Sequence, residues 1–197
     1  MISGVRVVLV ETKHGGNVGS VCRVMKNFGF ERLVLVRSRA DAQPEARELA
    51  YGSHDVLRRA EHVDSLDEAL AGASRVVGTA GRAGRFGGDY LAPEEMAALL
   101  RSFEPEPAAA LVFGPEDRGL RARELDRCDW VVRVPTEASR ASINLSHAVA
   151  VVTYAVRSAY LKPAAPHADA SIENRDALVR HAVRALSKVG FIRAADP

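Results

Sequence analysis

Ala110-Leu111-Val112-Phe113-Gly114-Pro115-Glu116-Asp117-Arg118-Gly119-Leu120 reads as a short apolar strand running into a glycine-bounded turn. A strand apolar at every position, rather than at every second one, is what a parallel sheet requires when helices cover both of its faces. Four further runs of this kind, at 5–10, 33–36, 76–79 and 130–134, alternate with helical patterns along the chain. The predicted fold is therefore α/β, a mainly parallel sheet covered by helices. In open α/β sheets ligands bind just beyond the carboxyl ends of the strands, where 114–119 falls. The turn has neither the G-x-G-x-x-G spacing of dinucleotide folds nor the G-K-[ST] ending of a phosphate-binding loop, which argues against nicotinamide and nucleoside triphosphate. Glu116 would repel a triphosphate but could hydrogen-bond a nucleoside or favour a cationic ligand.

Three other loops join this one. Asn17-Val18-Gly19-Ser20-Val21-Cys22-Arg23 opens a segment whose apolar residues Val18, Val21, Cys22, Met25 and Phe28 recur at helical spacing before Gly29 stops it. Asn17 admits two readings. It is a helix N-cap, or it joins the helix N-terminus and Arg23 in holding a phosphate or sugar. Ser142-Ile143-Asn144-Leu145-Ser146-His147-Ala148 starts a long apolar helix expected over 144–160. One polar residue suffices for a cap, so Ser139, Ser142, Asn144 and Ser146 together exceed what capping needs and point to a ligand. Gly78-Thr79-Ala80-Gly81-Arg82 ends another strand. Four strand-end loops of small and polar residues predict one shared pocket. Elsewhere Ser65-Leu66-Asp67-Glu68 predicts a capping box on a short helix ending at Gly72, and Pro93 suits the first turn of a helix over 94–102.

The 197 residues suit one domain and an appendage. After Leu161 a proline and alanine stretch, 162–171, reads as a linker, and 172–190 as one amphipathic helix with Leu178, Val179, Ala182, Leu186 and Val189 on its apolar side. The expected organisation is thus a domain over 1–161, a linker over 162–171 and a helical extension over 172–197. No apolar run approaches the roughly 20 residues of a membrane span, and 1–4 lead straight into a strand without a signal peptide, so the expected compartment is the cytoplasm. Cys22 and Cys128 are isolated and the six histidines show no paired ligand spacing, so neither a disulfide framework nor a metal site is expected. The net charge of +2 does not announce a nucleic-acid binder; 23 of the 27 basic residues are arginine, which suits bidentate phosphate recognition or reflects a bias in composition.

In this order and spacing, Asn17 to Arg23, Phe113 to Leu120 and Ser142 to Ala148 resemble the three motifs of the SpoU/TrmH class of SPOUT RNA 2′-O-methyltransferases. The run Leu9-Val10-Glu11-Thr12 into Asn17, with Thr79 and Phe113 to Leu120, looks most like its TrmJ branch, tRNA 2′-O-methyltransferases acting on anticodon-loop cytidine or uridine at tRNA position 32. The resemblance spans 5–160. It implies a C-terminal trefoil knot, S-adenosyl-L-methionine as cofactor, and a homodimer with the active site at the interface. It also implies that Thr79, Ala80, Gly81, Gly114, Gly119, Leu120, Val134, Ala141, Ser142, Ile143, Asn144 and Leu145 line the cofactor pocket. Asn17, Arg23, Glu116, Ser142 and Asn144 are implied as the reaction centre. A guanidinium with a pKa above about 12 is a poor base, so Arg23 is expected to stabilise the developing alkoxide or a neighbouring phosphate, with Glu116 or a water accepting the proton. Ribosomal RNA is the alternative substrate, and a non-catalytic RNA-binding homologue the alternative from another class. The branch carries a longer helical C-terminal extension, so 172–197 is expected to be a truncated form of it.

Overall fold

Strands β1 (Val5–Val10), β2 (Arg32–Val36), β3 (Glu61–Val63), β4 (Arg75–Thr79), β5 (Tyr90–Leu91), β6 (Ala109–Phe113) and β7 (Trp130–Val132) form one sheet in the order β3-β2-β1-β6-β4-β7-β5. Every pairing is parallel. This computed structural model describes residues 2, 4–81, 89–103, 108–137, 143–161 and 172–189.

The alternation of side chains along a strand sorts the core into two layers. Val5, Val7, Leu9, Leu33, Leu35, Leu111 and Phe113 face one side, where they meet α1 (Gly15–Phe28), α5 (Pro93–Arg101) and α7 (Leu145–Leu161). Val8, Val10, Val34, Val36, Ala110 and Val112 face the other, towards α4 (Leu66–Leu70) and α6 (Ala122–Leu125). All six residues of β1 are buried, which is why its sequence shows no alternation. On the first side α1 packs against α7 and against the short α2 (Pro44–Leu49), with α3 (His54–Arg58) beyond it. Gly19 makes the contact with α2 possible: a Cβ there would lie 2.3 Å from the Ala46 carbonyl oxygen.

The five expected strands are present, as are the helices at α1, α4, α5 and α7. Gly29 ends α1 in the left-handed conformation, φ 81°. Ser65 caps α4, its hydroxyl accepting from the Glu68 N–H at 3.2 Å. Two short strands, β3 and β5, and the short helices α2, α3 and α6 go beyond the sequence reading. Of the two readings of Asn17 the cap fails: α1 begins at Gly15 with His14 in the cap position, so Asn17 stands inside the first turn and does not cap it.

The chain divides into two compact units, Met1–Ala164 and Ala165–Pro197. The second contains α8 (Ile172–Lys188), whose apolar stripe stands open: Leu178 is 69% exposed and Val179 60%. The stretch 162–171 lies outside the described residues. Among the described residues no helix is long and apolar enough to cross a membrane.

Candidate active site

Because every strand is parallel, the loops leaving β1, β2, β4, β6 and β7 emerge on one edge of the sheet. The last three, with the start of α7, enclose a cleft that opens to solvent. Thr79, Ala80 and Gly81 come from the β4 end, 113–120 from the β6 end, Val132 from the end of β7 with Val134 and Thr136 beyond it, and Ile143 from just before α7 with Leu145 and Ala148 in its first turn.

Two glycines shape the wall on the β6 side. A Cβ on Gly114 would lie 2.2 Å from the Gly119 carbonyl carbon and 2.3 Å from the Leu120 nitrogen, so the 114–120 loop folds back on itself only over a bare Cα. Gly119, at φ +67°, makes that return, its N–H donating to the Pro115 carbonyl at 2.9 Å. The Thr79 hydroxyl donates to the Val112 carbonyl at 3.1 Å, and the Ala80 N–H to the Val132 carbonyl at 3.0 Å, fixing the β4 loop to both neighbours. The Thr136 hydroxyl is buried in the wall and has no hydrogen-bond partner among the described residues. Such a group is costly unless something completes it.

Beside the cleft three side chains from three loops are joined. The Asn144 Nδ2 donates to Asn17 Oδ1 at 2.9 Å, and the Asn17 Nδ2 donates to Glu116 Oε1 at 2.7 Å. Glu116 Oε2 accepts from the Lys13 N–H at 3.2 Å. An ionised carboxylate only accepts, so Glu116 fixes which way the Asn17 amide faces, and Asn17 in turn fixes Asn144. The Asn144 Oδ1 is thereby left to cap α7, accepting from the Ser146 N–H at 2.8 Å and its hydroxyl at 2.7 Å. Lys13 pairs with Asp117 at 2.6 Å and holds that carboxyl below its ordinary range, both side chains being more than half exposed.

The structure thus gathers Thr79, Ala80, Gly81, Gly114, Glu116, Gly119, Leu120, Val134, Ile143 and Leu145 around one cleft, with Asn17 and Asn144 tied to Glu116. Ala141 and Ser142, together with Ser139 and Arg82, lie outside the described residues. Arg23 is not with them. Six residues along an α-helix carry it about 240° around the axis and about 9 Å along it from Asn17. It is exposed, outside the cleft lining, and makes no ion pair or hydrogen bond among the described residues. Sequence reasoning missed Thr136 and Arg118 as parts of the wall; the signal available for Thr136 was a polar residue directly after Pro135, just beyond a buried strand. Burial pushes the thiols of Cys22 and Cys128 up to about 12, so neither supplies a thiolate at neutral pH.

The sequence profile of the SpoU rRNA Methylase family matches residues 4–154. The chain belongs to this family. As a member of the SpoU family it is a methyltransferase. Among its relatives, the tRNA (cytidine/uridine-2′-O-)-methyltransferase TrmJ of Klebsiella pneumoniae is 40% identical over 206 residues, covering 100% of this chain and 84% of that protein. The tRNA (cytidine/uridine/adenosine-2′-O-)-methyltransferase TrmJ of Pseudomonas aeruginosa is 44% identical over 162 residues, 82% of this chain and 63% of that protein. Among solved structures, a probable methylase family protein from Haemophilus influenzae superposes with a TM-score of 0.83 at 31% identity, over 98% of this chain and 83% of its own. The SpoU methyltransferase AviRb of Streptomyces viridochromogenes, solved in complex with AdoMet, shares the fold with a TM-score of 0.60 at 22% identity, over 79% of this chain and 57% of its own.

Proposed function

We propose that this SpoU-family chain transfers a methyl group from S-adenosyl-L-methionine to the ribose 2′-hydroxyl of a cytidine or uridine in tRNA. The observation that carries the reading is the joining of Glu116, Asn17 and Asn144 beside the cleft at the sheet's carboxyl edge. The residues present fit the donor. The cleft lies at the carboxyl edge of the sheet, where folds of this kind bind ligands, glycines at 114 and 119 keep part of its wall free of side chains, and the buried Thr136 hydroxyl has no partner among the described residues. Thr79, Ala80, Gly81, Gly114, Gly119, Leu120, Val134 and 141–145 would hold it, and when bound it supplies a methyl group already activated by the sulfonium. The protein has to align the 2′-oxygen and help it shed a proton.

Glu116 is the group suited to that proton. One of its oxygens is held by the Asn17 amide and the other by the Lys13 N–H, an arrangement that fixes the carboxylate while leaving lone pairs for a hydroxyl. Arg23, permanently charged, would stabilise the developing alkoxide or a flanking phosphate. Its exposed place on α1, away from its own cleft, supports a homodimer in which it serves the partner's cleft. The placement of β7 between β4 and β5, both earlier in the chain, is compatible with a knotted C-terminal region. The catalytic domain is read as 1–161, with 172–197 as an appended helical extension.

The test is transfer of radiolabelled methyl from the donor to tRNA and to ribosomal RNA, with mapping of the modified ribose. Label at a pyrimidine 2′-oxygen of tRNA is expected, undiminished by EDTA because the sulfonium already activates the methyl. Label confined to ribosomal RNA would overturn the substrate assignment. Arg23→Ala should lower the rate at least about a hundredfold, some 2.7 kcal/mol in barrier. Mixing Arg23→Ala with Ser142→Ala subunits should restore part of the activity. No recovery after demonstrated subunit exchange would place Arg23 in its own chain's site.

A further inference from the structure

Glu11 and Arg37 follow directly on β1 and β2, opposite one another in register after Val10 and Val36. Both hold left-handed backbone, φ 50° and 48°, the two non-glycine residues with positive φ among the described residues. Each such position costs on the order of 1–3 kcal/mol and persists only where the surroundings over-determine it. Their side chains do so. The Arg37 Nε and Nη2 donate to Glu11 Oε1 at 3.0 and 2.8 Å. Arg118 donates to Glu11 Oε2, and Arg121 reaches both carboxylate oxygens at 3.4 Å. Beneath them Glu124 is almost fully buried, its Oε2 accepting from the Arg121 N–H at 2.8 Å. Burial raises the pKa of Glu11, but the hydrogen bonds from Arg37 and Arg118 outweigh it, leaving the carboxyl below its ordinary range and ionised at neutral pH.

The geometry of this cluster matters for the cleft. Arg118 lines the cleft and belongs to the loop that carries Glu116, while Glu11 opens the loop that carries Lys13 and leads to Asn17. The Glu11–Arg118 contact therefore spans the same two loops as the Lys13–Glu116 contact, just ahead of the helix turn from which Asn17 reaches Glu116. We propose that Glu11 is a positioning residue for methyl transfer, whose carboxylate clamps the 115–120 loop to the β1–α1 loop and so fixes where Glu116 stands relative to Asn17. The proposal rests on the function assigned above to Glu116.

Two substitutions separate this role from backbone accommodation. Asn tolerates left-handed backbone better than Glu, so Glu11→Asn relieves the strain while removing the clamp. Arg118→Gln removes the clamp from the other end without touching the strained position. In the full chain without cofactor, both are expected to speed amide exchange of 115–120 by about tenfold, the loss of a charge-assisted contact. With tRNA and the methyl donor, both should lower kcat about tenfold while leaving KM for tRNA within about twofold, since neither is placed on the RNA. The double variant should fare no worse than either single one, as expected of two halves of one contact. Unchanged exchange in 115–120, a kcat within about twofold of the parent, or a loss confined to KM for tRNA would each overturn the proposal, the last by making the arginines a phosphate-binding surface. If the parent chain transfers no methyl to tRNA, the function reading fails by itself, and the exchange measurement still decides whether Glu11 holds the loop.

Discussion

At the start of α7, Asn144 occupies the cap and its Oδ1 accepts from the Ser146 N–H; at the start of α1, His14 occupies the cap with no side-chain bond, and Asn17 turns its amide towards Glu116 and Asn144. Both first turns leave backbone N–H groups without intrahelical partners. The α7 turn satisfies one locally. The α1 turn satisfies one at a distance, the Gly15 N–H donating at 2.7 Å to Oε1 of Gln43, which itself donates to the Lys13 carbonyl. That approach needs a glycine, since a Cβ on Gly15 would lie 2.7 Å from the Gln43 Cβ. The difference teaches how a polar residue is freed for chemistry: Gln43 takes over the capping work, and the Asn17 amide is left to donate to Glu116 and accept from Asn144.

The largest effect is expected where one residue does both jobs. Asn144→Ala removes the α7 cap and the support of Asn17, so it should cost about 1–2 kcal/mol and lower the Tm by a few degrees. It should also weaken binding of the methyl donor several-fold, read by calorimetry. Asn17→Ala comes next and should split the two jobs. The Tm should stay within about 2 °C, because no cap is lost, while kcat falls about tenfold as Glu116 loses its fixed orientation. A Tm loss equal to that of Asn144→Ala would erase the contrast between the two turns. Smallest is Gln43→Ala, which leaves the Gly15 N–H to water or unpaired: about 1 kcal/mol in urea denaturation, with kcat close to that of the parent. A kcat as low as that of Asn17→Ala would show that Gln43 acts on the site and not only on the helix.

The strands β1, β2, β4, β6 and β7 were legible because burial on both faces demands continuous apolar runs, a signal that depends on no neighbour. The strands β3 and β5 were not, having three and two residues at the two edges of the sheet, where pairing with β2 and β7 alone makes them strands. The short helices α2, α3 and α6 likewise take their shape from what they pack against, too few residues being present for a helical period to show. Of the candidate site, the glycine turn at Gly114 and the polar start of α7 could be read from residue types. The Asn17 amide could not, because cap and ligand use the same residue and only the position of the helix start distinguishes them.

The sequence by itself determined the α/β class, the strand ends that carry the polar and glycine-rich loops, and the motifs that place the chain in its family, because these rest on local periodicity and residue chemistry. Only the tertiary structure decided that Asn17 serves Glu116 rather than its own helix, that Arg23 stands away from its own chain's cleft, and that Glu11 gathers arginines from two distant loops. Those contacts join residues up to 110 positions apart. They arise from the order in which the strands lie side by side, which no single stretch of chain encodes.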